Sequence, residues 1–117
     1  MILVDSSVWV DHLRDSDPAL ARLLTAGQVL AHPFVVGELA LGSLRQREMV
    51  LGALLGLPQA IVAGQAEVLD FIDRHALAGI GIGYVDAHLL ASARLSIATL
   101  WTRDKRLHAA AQRLSLA

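Results

Sequence analysis

The chain begins MILVDSSVWV (residues 1–10), an apolar run that stops at an aspartate, Asp5. Met1 to Val4 has the aliphatic and β-branched content of a short buried strand, which places Asp5 at the strand's carboxyl end. In an open α/β sheet that end is where sites are built. A second reading fits the same residues: Asp-Ser-Ser ahead of Val8 and Trp9 is a good helix N-cap sequence. The opening stretch leaves both readings standing.

Strand-like and helix-like segments alternate over the rest of the chain. A short helix reads through VWVDHLR (8–14), a turn falls at DSDP (15–18), and Pro18 starts a second helix that Gly27 closes. QVLAH (28–32) is a strand, Pro33 opens a helix through FVVGELALGSL (34–44), and Arg45 to Leu55 is helical in period. QAIVA (59–63) reads as a third strand. GQAEVLDFIDRHALAG (64–79) reads as an amphipathic helix with Val68, Leu69, Phe71 and Ile72 inward. GIGYVDAHLLASARL (81–95) is a further helix behind a glycine-rich approach, SIATLWT (96–102) the last strand, and DKRLHAAAQRL (104–114) a closing helix. This alternation predicts an α/β fold: a short parallel sheet of about four strands flanked by about seven helices.

A chain of 117 residues predicts a single domain over 1–117. Hydrophobic residues make up 55% and the mean hydropathy is +0.52, apolar for a small domain. Charged residues or histidine break every run before the roughly 18 to 20 residues needed to span a bilayer, so no membrane role is expected. The apolar surplus instead predicts a subunit interface and a homodimer. Without a leader segment, and without any cysteine, the chain is expected in the cytoplasm.

The formal net charge of −1 does not mark the whole molecule as a nucleic-acid binder. Its distribution says more. Arg94, Arg103, Lys105, Arg106 and Arg113 cluster near the carboxyl end against one acid, Asp104. Most of the acids read as surface residues, and four do not. Glu38 shares its helical face with Phe34, Val35, Leu41 and Gly42, where an ionised carboxylate is costly unless paired or metal-bound. Asp86 shares a face with Leu90 and Ala93 in the first turn of its helix. Asp104 follows the last strand as Asp5 follows the first, and both also read as N-caps. Two strand ends and two inward helix positions can converge above the sheet, and converging carboxylates require a cation or a raised pKa. No pattern of lysine or arginine neutralises all four, so a hard divalent ion, Mg²⁺ or as a substitute Mn²⁺, suits them. Such an ion suits phosphodiester hydrolysis, with Arg103, Lys105 and Arg106 bordering the pocket to bind an RNA or other nucleic-acid backbone. Ser6 and Thr102 stand beside Asp5 and Asp104 as supporting hydroxyls, or as caps.

In MILVDSSVWVDHLR, HPFVVGELALGSL, GIGYVDAHLLASA and LWTRDKRL the chain resembles the PIN-domain ribonuclease toxins of the VapC type. The family has an Asp ending the first strand, a Glu in the third helix, an Asp opening a later helix and an Asp after the fourth strand. Here Asp5, Glu38, Asp86 and Asp104 stand at those positions. The resemblance implies a PIN-like fold and a metal-dependent endoribonuclease, usually a homodimer. It also implies a cognate antitoxin of the VapB type, whose carboxyl-terminal segment lies across the acidic groove. Within that set, Asp5 and Asp86 are expected to hold the principal ion, with Glu38 and Asp104 completing the pocket.

Rival readings are weaker on the residues. A phosphoacceptor receiver domain wants a second acid next to the first, where Ser6 stands, and a haloacid-dehalogenase-type phosphatase wants an Asp at Ser7. A non-enzymatic binding module would use the four acids only as caps and ion pairs. His12, His32, His75, His88 and His108 show no metal-ligand spacing and read as surface or half-buried residues. Trp9 and Trp101 read as core.

Overall fold

The computed structural model describes residues 1–117. Its elements are β1 (Ile2–Val4), α1 (Ser6–Arg14), α2 (Pro18–Thr25), β2 (Val29–Leu30), α3 (Pro33–Ala40), α4 (Arg47–Leu55), α5 (Gln65–Arg74), α6 (Tyr84–Leu95), β3 (Thr99–Trp101) and α7 (Lys105–Arg113). The three strands are parallel in the order β2-β1-β3, with Ile2 opposite Val29 and Thr99, and Val4 opposite Trp101. This is the expected α/β fold with its seven helices. The strand that opens the chain lies at the centre of the sheet, so its carboxyl end is flanked on both sides.

One expected strand is reduced to a single bridge. QAIVA pairs only where Ala31 N donates to Pro58 O (2.9 Å) and Ala60 N donates to Ala31 O (2.8 Å), giving the parallel bridge Ala31–Gln59. Proline cannot extend a ladder as a donor. Beyond Ala60 the chain turns to α6, where Ile61 N donates to Ser96 Oγ (2.9 Å). Ile61 and Val62 therefore end exposed despite their strand-like chemistry.

Helix boundaries follow local chemistry. Pro18 and Pro33 occupy the first helical positions of α2 and α3, and Asp17 caps α2 by accepting from Ala19 N and Leu20 N. The helix from Pro33 stops at Ala40 rather than running on to Leu44. Helix α6 packs against β1, β3 and α5, and Ala87 through Ala93 are all buried, as expected of a helix enclosed on every side. In α5, Val68 and Phe71 face the core, but Leu69 is 50% exposed, contrary to the amphipathic reading.

Two histidines also depart from the sequence reading, for His32 and His88 are buried. His32 ends the β2 segment and caps α3, its Nδ1 accepting from Phe34 N at 3.0 Å. With Nδ1 an acceptor, the ring proton is on Nε2, which donates to Ser92 Oγ of α6 at 3.1 Å. His88 packs edge-on against Phe34 and Tyr84. Both residues join α3 to α6.

Candidate active site

Asp5 follows the central strand, and its backbone N donates to Trp101 O (2.9 Å), which fixes it to β3. It occupies the N-cap position of α1, yet its side chain makes no capping hydrogen bond. Asp5 is thus the N-cap of α1 by position, while its side chain is turned to other partners. Instead Oδ2 accepts from Ser7 Oγ (2.7 Å) and from Thr102 Oγ1 (2.8 Å). Each hydroxyl in turn accepts a backbone N–H from the turn after β3, Ser7 from Arg103 N (3.0 Å) and Thr102 from Asp104 N (3.1 Å). An ionised carboxylate can only accept, so the hydroxyls are the donors in both bonds to Asp5, and the two hydroxyl oxygens lie 3.3 Å from each other. Oδ2 is thereby committed as an acceptor, and Oδ1 makes no hydrogen bond within the protein.

The supporting hydroxyls are thus rearranged relative to the sequence reading. Thr102 does hold Asp5. Ser6 does not; its Oγ donates to Glu38 Oε2 at 3.1 Å, linking α1 to α3. Ser7, which the sequence reading passed over as a supporting residue, takes the place beside Asp5. The available signal was its spacing, because a hydroxyl two residues after a strand-ending Asp can reach back to it.

Glu38 is more open to solvent than its apolar neighbours suggested, but partial burial still pushes its carboxyl up. Asp5 and Asp86 push it further in that direction, against the Ser6 hydrogen bond. Asp86 lies in the first turn of α6, where Oδ2 accepts from Gly83 N (2.9 Å). Burial raises its pKa, with the Gly83 bond opposing and the charges of Asp5 and Asp104 adding to the rise. Asp104 is the cap that its sequence context suggested, Oδ1 accepting from Leu107 N at 3.0 Å, and its other oxygen is unbonded.

The charges of Asp5 and Asp86 act on Glu38 and those of Asp5 and Asp104 act on Asp86, and none of the four acids forms an ion pair. They do not form a closed cluster, since no three acidic or histidine side chains are near enough to share an ion as they stand. Each has turned one oxygen to a local donor, which is how mutually repelling carboxylates settle. As a donor set they fit a hard divalent ion: oxygen only, uncompensated, each with an oxygen left over.

The basic residues divide differently from expectation. Arg103 forms ion pairs with both Asp11 and Asp17, tying the turn after β3 to α1 and the start of α2. Its guanidinium is thus engaged by carboxylates of α1 and of the α2 cap. Lys105 and Arg106 have no carboxylate partner.

A PIN domain model matches residues 2–113. The chain belongs to the PIN-domain family. Within it, Ribonuclease VapC32 of Mycobacterium tuberculosis, in strains CDC 1551/Oshkosh and ATCC 25618/H37Rv, is 52% identical over 111 residues covering 94% of this chain and 90% of the relative. This PIN domain is thus of the VapC type, as the four sequence stretches implied, and the receiver and phosphatase readings fall away. PIN-domain ribonucleases are generally metal-dependent, in keeping with the oxygen-only donor set.

The Ser7 arrangement carries its own prediction. Ser7→Ala leaves Asp5 Oδ2 with one hydroxyl partner and frees the carboxylate to turn. RNA cleavage is expected to fall about tenfold and the divalent-ion concentration for half-maximal rate to rise, as for loss of a group that orients a metal ligand. Ser7→Thr should restore most of the activity. Unchanged metal dependence in Ser7→Ala would show that Thr102 alone fixes Asp5.

Proposed function

We propose that this PIN domain is the toxin half of a type II toxin–antitoxin pair, an endoribonuclease that hydrolyses RNA phosphodiester bonds with Mg²⁺, or Mn²⁺ in its place. The observation that carries this reading is the set of four uncompensated carboxylates at the carboxyl edge of the sheet, with one of them, Asp5, oriented by two hydroxyls. Asp5 and Asp86 would hold the principal ion, with Glu38 and Asp104 completing the pocket. When bound, the ion supplies positive charge that offsets the charge developing on the scissile phosphate and makes nearby water more acidic.

The chain's own groups do the rest. Ser7 and Thr102 hold Asp5 through Oδ2 and leave Oδ1 available to the ion. Glu38, held at Oε2 by Ser6, keeps Oε1 free to position the attacking water. Lys105 and Arg106, free of carboxylate partners, bind the RNA backbone. A cognate antitoxin of the VapB type would cover the acidic groove with its carboxyl-terminal segment, and a homodimer is expected. Leu41 at 90% exposure and Ile97 at 92% support partner surfaces of this kind. No helix is long and apolar enough to cross a membrane, and we place the protein in the cytoplasm.

The test is cleavage of total cellular RNA by the purified chain with Mg²⁺, with Mn²⁺ and with EDTA. Discrete fragments with either ion, lost in EDTA and regained on adding excess Mg²⁺, are expected. No cleavage under any condition, together with no divalent-ion binding by calorimetry, would leave a non-enzymatic binding module as the better account.

A further inference from the structure

Helix α1 and the chain running from α3 into α4 leave a cavity of about 650 Å³ between them, and Glu38 of the acid set forms part of its wall. Of the larger cavities in the structure, this is the one that an acid of the set lines. Its size suits an organic group as large as a nucleoside. Val10, Leu13 and Leu39 supply apolar wall, and Glu38 is the one carboxylate there.

His12 also lines the cavity, and it is fixed in place. Its Nδ1 accepts from Asp17 N at 2.9 Å, and its ring meets Trp9 edge-on with centroids 5.9 Å apart. Asp17 is itself anchored, as the cap of α2 and as a partner of Arg103. With Nδ1 an acceptor, the ring proton is on Nε2, which makes no hydrogen bond within the protein. A backbone N–H thus sets the tautomer, and one donor is left over on a ring that lines the cavity. Arg14 and Arg45 border the same space, exposed and without ion pairs, so they add positive charge but no fixed geometry.

A strand with its scissile phosphate at the acids has its next nucleotide beside them. A phosphate is poorly matched to apolar wall, whereas a base has an apolar face and acceptor atoms along its edge. We propose that this cavity is a base subsite: it takes the base of a nucleotide flanking the scissile phosphate, and His12 Nε2–H donates to an acceptor on the edge of that base. The proposal rests on the nuclease reading above and adds to it a source of base preference. A donor that only one edge pattern satisfies discriminates among bases, because a base without the acceptor leaves it unpaired.

The experiment sequences the cut ends from a pool of single-stranded RNAs of about 20 randomised nucleotides, cleaved by the full chain with Mg²⁺. The parent is expected to favour one base, or one pair of bases, at a flanking position. His12→Asn keeps an acceptor near Asp17 N and removes the Nε2 donor, so preference at that position should fall about fivefold, as for loss of one neutral hydrogen bond, with the other positions unmoved. His12→Gln returns an amide N–H to the place of Nε2 and should keep most of the preference. Leu13→Trp, which narrows the cavity from α1, should raise KM for RNA about tenfold. All three should need the parent's Mg²⁺ concentration for half-maximal rate, since no metal-binding acid is altered.

A base profile unchanged in His12→Asn overturns the subsite, and so does a parent that cuts without preference at any flanking position. If Leu13→Trp also keeps the parent's KM, the cavity is left to a protein segment rather than to RNA. An equal loss of rate on every sequence in both His12 variants, with a raised Mg²⁺ requirement, overturns the base contact and assigns His12 to holding α1 in place beside Glu38. Should the thermal melt show that His12→Asn does not fold, Leu13→Trp decides, and an unchanged KM and base profile there overturn the proposal. A parent that cuts RNA while His12→Asn is indistinguishable from it fails this proposal alone; a parent that cuts no RNA removes the nuclease reading and this subsite with it.

Discussion

Asp5→Asn is expected to reduce metal-dependent RNA cleavage by at least about 100-fold while leaving the fold intact. The hydroxyls of Ser7 and Thr102 both donate to Oδ2, so in the variant the amide oxygen is held at that position. The amide NH₂ is then left at the Oδ1 position, a donor where the proposed ion would need an acceptor. The substitution keeps shape and both inner hydrogen bonds, so the melting temperature should move by no more than about 3 °C. Gel-resolved cleavage of total RNA and a thermal melt check the two halves. Activity retained within threefold at saturating Mg²⁺ would remove Asp5 from the metal set.

The second large effect is on stability and comes from His32. The ring is 0% exposed, and burial, with repulsion from His88, lowers its pKa from the ordinary 6.5 to about 4. Its protonation would also put a hydrogen on Nδ1, the atom that caps α3 by accepting from Phe34 N. Between those two pKa values the unfolded chain binds the proton and the folded chain does not. His32 therefore contributes its full stabilisation above about pH 6.5, and that contribution is lost as the pH falls towards 4. From pH 7 to pH 5 the loss is about 2 kcal/mol, and over the whole window about 3 kcal/mol.

His75 and His88 are lowered as well and act in the same direction, whereas Glu38 and Asp86, raised by burial, oppose it. The variant comparison isolates the one residue. His32→Asn keeps a capping acceptor but cannot titrate, so it should start less stable at pH 7 and lose about 2 kcal/mol less than the parent by pH 5 in urea melts. Parallel pH profiles for the two proteins would exclude His32 as the source of the slope.

Much of the architecture was legible in the sequence. The apolar run Met1–Val4, the prolines at 18 and 33 and the alternation of periods gave a parallel α/β fold with seven helices. The third expected strand, QAIVA, shrinks to one bridge because β-branched chemistry pairs only where a partner ladder continues, and here the chain turns towards Ser96 after Ala60. Buried His32 and His88 were misread for a related reason. Histidine is polar by type, and its burial depends on whether Phe34, Tyr84 and Ser92 enclose it, which no local pattern records.

The site divides in the same way. The four acids could be singled out because each breaks a local rule: a charge at a strand end or in an apolar helical stripe. By itself the sequence determined the order of the elements and which carboxylates were out of place. Only the tertiary structure decided the partnerships: Thr102 on Asp5 across 97 positions, Ser6 on Glu38 across 32, Arg103 on Asp17 across 86. Hydrophobic period and capping act within a turn or two of chain and can be read in one dimension. A hydroxyl or a guanidinium binds whatever the packed fold brings within about 3 Å, so its partner is fixed only when the helices have closed over the sheet.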